Sequence, residues 1–120
     1  MARLCASRKA EASAMEQREY VQRLLDAYRT TPGTVGVVRR PDRLFALQLH
    51  ESAVPLDVAE NALTLAVARR LARPADAPPL GVIRSLAYFA PVIEEVLQTR
   101  PSPQYFHHLR QRIQKIVSAR

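Results

Sequence analysis

Apolar residues recur at helical spacing through most of the chain. Val21, Leu24, Leu25 and Tyr28 fall at i, i+3, i+4 and i+7, which predicts an amphipathic helix over about 14–30. Ser13, with Glu16 three residues on, fits a capping box in which each side chain satisfies an orphan backbone N–H. Pro32-Gly33 ends that helix, because neither residue continues one cheaply. Val35, Val37 and Val38 then supply β-branched residues interrupted by Gly36. One short strand with no partner elsewhere makes no sheet, so 34–40 is expected to be a loop. Pro41 suits the first turn of a second helix, with Asp42 close to its positive dipole end. Leu44, Phe45, Leu47 and Leu49 carry this helix to about Ser52.

A third helix is expected from Pro55–Asp57 to about Ala72. Val58, Ala59, Ala62, Leu63, Ala66, Val67 and Leu71 mark one face, while Leu56 and Leu65 extend the apolar surface nearly all round. That pattern identifies the central, most buried helix. Arg69, Arg70 and Arg73 at its C-terminal end complement the helix dipole. After a proline-stiffened connection over 74–80, Val82, Ile83, Leu86, Phe89, Ile93, Val96 and Leu97 suggest a fourth helix. Pro91 should kink or split it near Ala90. Arg100-Pro101-Ser102-Pro103 precedes a last helix with Tyr105, Phe106, Leu109, Ile113, Ile116 and Val117 along its apolar stripe. The expected fold is all-α: a single compact bundle of four to five helices over 13–120, the fourth kinked or split at Pro91. A mobile, disordered basic tail over 1–12 precedes it.

With 120 residues, 48% of them hydrophobic, there is room for one modest core, and the absence of Trp leaves it to Leu, Val, Ile and Ala. The formal charge is +7, and the cationic residues are almost all Arg, with Lys9 and Lys115 as the lysines. Guanidinium groups present a planar fork of donors to phosphate, so this balance favours nucleic acid or another polyanion as partner. The plainer reading is a GC-rich genome, which enriches Arg, Ala and Pro together. The lone Cys5 forms no internal disulfide and suits a reducing compartment. No apolar run approaches the ~20 residues of a membrane span, and the first residues lack the apolar core of a signal peptide. A cytoplasmic protein without membrane contact is expected.

Catalytic machinery is not evident. His107 and His108 are adjacent, so they point about 100° apart on a helix and make no two-ligand metal site. Glu94-Glu95 reads as a solvated helix face. There is no glycine-rich phosphate loop and no nucleophile motif. A protein that is not an enzyme, with no metal and no cofactor, is the expectation.

The segments on either side of Ser52–Pro55 have the outline of a helix-turn-helix. The first turns of its second helix carry Asp57 and Glu60, which phosphates would repel, and that helix is too apolar to spare a face for DNA. Plain core packing is preferred. Arg39, Arg40 and Arg43 surround the start of the second helix, while Arg100, Arg110, Arg112 and Lys115 make the last segment basic without an acidic residue. These seven are the candidate nucleic-acid contacts. Tyr105, His107 and His108 lie nearby and are either base-stacking groups or, for Tyr105 and Phe106, core anchors. A rival role places a protein partner or a second copy on a patch at Tyr88, Phe89 and Val92.

Val54-Pro55-Leu56-Asp57-Val58-Ala59-Glu60-Asn61-Ala62-Leu63, followed by Ile83-Arg84-Ser85-Leu86-Ala87-Tyr88-Phe89, resembles the C-terminal helical domain of DnaD-type replication initiation proteins. The resemblance covers less than half the chain and lacks the closing tryptophan of that family. It implies a helical domain contributing to DNA binding. The pattern from Arg29-Thr30-Thr31-Pro32-Gly33-Thr34 to Pro91-Val92-Ile93-Glu94-Glu95 is also similar to short bacterial proteins linked to mobile elements. The expectation is a non-enzymatic nucleic-acid-binding accessory protein of bacterial replication or a mobile element. The alternative is a small helical interaction subunit of a larger complex, such as a ribonucleoprotein effector.

Overall fold

The computed structural model describes residues 17–119, and within them the protein is all-helical. Helix α1 spans 17–30, α2 Arg40–Glu51, α3 Leu56–Leu71, α4 Ala90–Thr99 and α5 Pro103–Ala119, with a short 3-10 helix, Leu86–Phe89, leading into α4. The tail at 1–12, Cys5 and the capping pair Ser13–Glu16 lie outside the described residues.

Helix α3 is the spine. Val58, Ala59, Ala62, Leu63, Leu65, Ala66 and Val67 are all buried, and α4 and α5 both pack against it. Alanine at 59, 62 and 66 lets neighbouring helices approach closely, while the larger side chains fill the space between. Leu24 and Tyr28 from α1, Ala46 from α2, and Leu86, Phe89, Ile93, Val96 and Phe106 from the later helices complete one core. Each large apolar side chain buried there contributes roughly 1.5–3 kcal/mol. Tyr28 and Phe89 meet edge to face, with ring centroids 6.2 Å apart.

The turn from α2 to α3 is closed by a Schellman motif. The Val54 N–H donates to the Leu49 carbonyl and the Ala53 N–H to the His50 carbonyl, both at 3.0 Å. Val54 and Leu49 are buried together, the apolar contact that usually accompanies this motif. Ala53 occupies the left-handed position with φ +60°, where glycine normally stands. Tyr20 reaches over from α1 to donate its hydroxyl to the Val54 carbonyl at 2.8 Å.

Two expectations change in the segment before α4. Residues 82–85 are not helical. Ile83 instead forms a parallel bridge with Thr34, its N–H donating to the Gly33 carbonyl at 2.7 Å and its carbonyl accepting from Val35 at 3.0 Å. The loop at 34–40 therefore does find an extended partner. The apolar spacing of Val82, Ile83 and Leu86 concealed this, because a single buried Ile83 satisfies either conformation. Gly33, at φ +92°, makes the turn that aims its carbonyl at Ile83. Pro91 stands in the first turn of α4, where its missing N–H costs nothing, so no kink is required of it.

Ala53→Gly should stabilise the protein. Relief of the left-handed alanine, about 1–2 kcal/mol, outweighs the extra unfolded-state entropy of glycine, about 0.5–1 kcal/mol. A rise of about 4 °C in Tm is expected by calorimetry. Burial pushes the Tyr20 hydroxyl from its ordinary pKa of 10.0 up to about 12. The unfolded chain therefore releases this proton first, and the stabilisation is complete below pH 10 and lost as pH rises from 10 to 12. Tyr20→Phe should cost about 1 kcal/mol at neutral pH and flatten the alkaline decline in urea midpoints; an unchanged decline would assign it to other groups.

Candidate nucleic-acid interface

The start of α2 is organised around one buried carboxylate. Asp42 is 2% exposed, at the third position of the helix. Its Oδ2 accepts from the Arg39 backbone N–H at 2.9 Å, and its Oδ1 from the Leu86 N–H at 2.8 Å, 44 residues away. The first bond caps α2, and the helix dipole favours the charge there. The second pins the 3-10 helix to α2 and carries Arg84, two residues ahead of Leu86, to the same end of the molecule as Arg39, Arg40 and Arg43. Arg84 was not a candidate from sequence, because nothing local connects it with α2. All four side chains are exposed, and among the described residues none lies within ion-pair distance of a carboxylate. Four cations there stand against the single buried charge of Asp42. Beneath them Tyr28 is fully buried, and its hydroxyl finds no partner among the described residues. Burial, then Asp42, raise its pKa, and Arg39 lowers it.

Several other arginines are structural braces. Arg70 donates to the Gly81 carbonyl at 2.7 Å and to the Tyr88 hydroxyl at 3.2 Å, with its guanidinium 5.8 Å from the Tyr88 ring centroid. Arg73 donates to the Pro78 carbonyl at 2.8 Å. These two hold the proline-rich connection against the end of α3, a task beyond the dipole complementarity expected of them. Arg69 pairs with Glu95 in a two-pronged contact that ties α3 to α4. Both partners are about half exposed, so the pair contributes at most about 1 kcal/mol. Arg100 ends α4 in the left-handed conformation, φ +47°, and folds its Nε back onto the Leu97 carbonyl at 3.2 Å. It is exposed but turned toward its own helix.

The remaining candidates lie on α5, on different faces. Arg110 contacts the Asn61 side chain on α3. Arg112, about 200° further round, lines a groove between α3 and α5. Lys115, one turn beyond, shares the outer face with Arg112, and both are exposed. Because α5 packs on α3 and α2 packs on the 3-10 helix, the seven sequence candidates divide between separate elements rather than forming one row.

No protein-family model, curated protein or solved structure matches this chain.

The candidate partner patch also divides. Phe89 is fully buried and belongs to the core, whereas Tyr88 is 46% exposed and Val92 half-buried. Tyr88, Val92 and Leu80 line a shallow depression edged by Arg69, Arg70 and Arg73. On α3, seven residues are buried and both α4 and α5 pack against the helix, while Asp57 is exposed and Glu60, Asn61 and Thr64 are half-buried. Among the described residues no cluster of His, Cys, Asp and Glu has the arrangement of a metal site, and no helix is long and apolar enough to cross a membrane.

Asp42→Asn leaves one buried backbone N–H facing an amide donor, which costs about 1–3 kcal/mol. A fall of about 10 °C in Tm is expected, together with faster hydrogen exchange at Leu86. An unaltered Tm would show that the carboxylate does not hold the two segments together.

Proposed function

We propose that the protein is a non-enzymatic nucleic-acid-binding accessory protein, acting through phosphate neutralisation at the start of α2. The observation that supports this most directly is the exposed group Arg39, Arg40, Arg43 and Arg84, gathered by the Asp42–Leu86 bond and carrying no carboxylate partner among the described residues. Exposed guanidinium groups of this kind suit phosphate oxygens, which they contact in a planar, two-pronged manner. Such contacts position a nucleic acid without reading its sequence. Arg112 and Lys115 on α5 add a second cationic site. The resemblance of 54–63 and 83–89 to the DnaD-type C-terminal domain is the reason for placing this binding in bacterial replication, and the likeness of the pattern from 29–34 to 91–95 to short bacterial proteins is the reason for naming a mobile element.

A second reading, a helical interaction subunit of a larger assembly such as a ribonucleoprotein effector, draws on the depression of Leu80, Tyr88 and Val92. Leu80 and Tyr88 are 43% and 46% exposed there. An arginine rim around that depression would favour an acidic partner surface.

The deciding experiment is binding to labelled duplex across a salt series, with Arg39, Arg40 and Arg43 replaced together by Ala. The Asp42 contact uses only the backbone of Arg39, so the triple variant keeps the fold. Three lost phosphate contacts should reduce the slope of log K against log salt by about 2.7. An unchanged slope would remove the start of α2 from the interface. Absence of binding to any nucleic acid at low salt would overturn the proposal and favour the protein-partner reading.

A further inference from the structure

Consecutive aromatic residues at the start of α5 are treated in opposite ways by the fold. Phe106 is 1% exposed and anchors the helix in the core, whereas Tyr105 is 45% exposed. The two rings meet edge to face, with centroids 5.4 Å apart and planes 74° apart, so Phe106 steadies the Tyr105 ring while covering little of it. Tyr105 forms one wall of a groove of about 270 Å³ between α3 and α5, whose apolar lining includes Leu65, Leu71, Leu109, Ile113 and Ile116. Two guanidinium groups, Arg69 and Arg112, lie at the same groove. Arg69 is engaged by Glu95, and Arg112 has no carboxylate within ion-pair range among the described residues. His108 and Lys115 are exposed one turn either side of Arg112, on the same face of the helix.

An exposed aromatic wall, a small apolar cleft and a run of cations along one side are the parts with which proteins hold unpaired bases and their phosphates. Duplex offers phosphates to the same cations but keeps its bases stacked inside, out of reach of Tyr105. The size of the cleft, at the small end of ligand pockets, suits one planar group rather than a folded partner. The charge is also complementary to a phosphate backbone: the nearest acid of the groove region, Glu95, is already neutralised by Arg69.

Resting on the nucleic-acid reading above, we infer that the α3–α5 groove binds single-stranded nucleic acid, with a base stacked on Tyr105 and the adjoining phosphates on Arg112 and Lys115. The start of α2 then supplies general phosphate affinity, and the groove supplies preference for single strands.

The test uses the full chain with labelled dT20, U20 and a 20-base-pair duplex, measured by fluorescence anisotropy across a salt series. Tyr105→Ala should weaken single-strand binding by about tenfold without changing the salt slope, and should leave duplex binding as it was. Tyr105→Phe should retain most of the single-strand affinity. Replacing Arg112 and Lys115 by Ala should lower the single-strand salt slope by about 1.4. Tyr105 is exposed, and equal melting temperatures would confirm that the variants fold alike. Single-strand binding unaffected by Tyr105→Ala, or duplex bound as tightly as single strands, would overturn this inference while leaving the phosphate-binding reading in place. Loss of the Arg39–Arg40–Arg43 effect as well, with no binding to any of the three probes, would overturn both. Competition by an acidic amphipathic peptide but by none of the three oligonucleotides would reassign the groove to a protein partner.

Discussion

A buried carboxylate must find donors or its desolvation is uncompensated, and Asp42 meets that demand with two backbone N–H groups from distant parts of the chain. One belongs to the residue before α2 and the other to the 3-10 helix. This shared acceptor couples helix capping to tertiary structure. It sets Leu86 and Phe89 against α1 and brings the extended residues after Gly81 alongside those after Gly33, where the Thr34–Ile83 bridge closes. The short parallel pairing is too small to stand alone. It persists because the Asp42 bonds at one end and the buried Ile83 side chain at the other hold the two extended segments in register.

The arginines divide by what surrounds them. At the C-terminal end of α3, carbonyls of the proline-rich connection lie within reach, and Arg70 and Arg73 are consumed in bracing it. That connection makes one turn of its own, the Ala77 N–H donating to the Pro74 carbonyl at 3.0 Å, while its prolines supply carbonyls but no donors to pair with them. At the start of α2 and along the outer face of α5 no such acceptors are at hand among the described residues, and the guanidinium and ammonium groups are exposed. Charge alone does not separate these two groups. Their hydrogen-bond surroundings do.

Helices α2, α3 and α5 were legible to within a residue or two because each carries its own local punctuation. Pro41 and Pro103 open two of them, and an apolar run fills the third. The reading of α3 as the most buried element also holds, since seven of its residues are buried, more than in any other helix among the described residues. The segment 82–89 was misread for a physical reason: Val82, Ile83, Leu86 and Phe89 match helical spacing, yet Ile83 is buried by an extended bridge and Phe89 by a 3-10 turn. Phe89 could not be distinguished from its exposed neighbour Tyr88 by type or spacing.

The sequence by itself determined the all-helical class, most helix boundaries and the cationic excess, because these follow from periodicity, proline placement and composition, all of which are local. Tertiary structure alone decided which cations are free, because a guanidinium is occupied or available according to acceptors supplied by remote segments. It likewise decided that Arg84 joins Arg39, Arg40 and Arg43, through a hydrogen bond spanning 44 residues. Tyr105 and Phe106 make the same point at the scale of one helical step: their order along the chain is local, but only the position of α3 determines which ring is buried and which faces the groove.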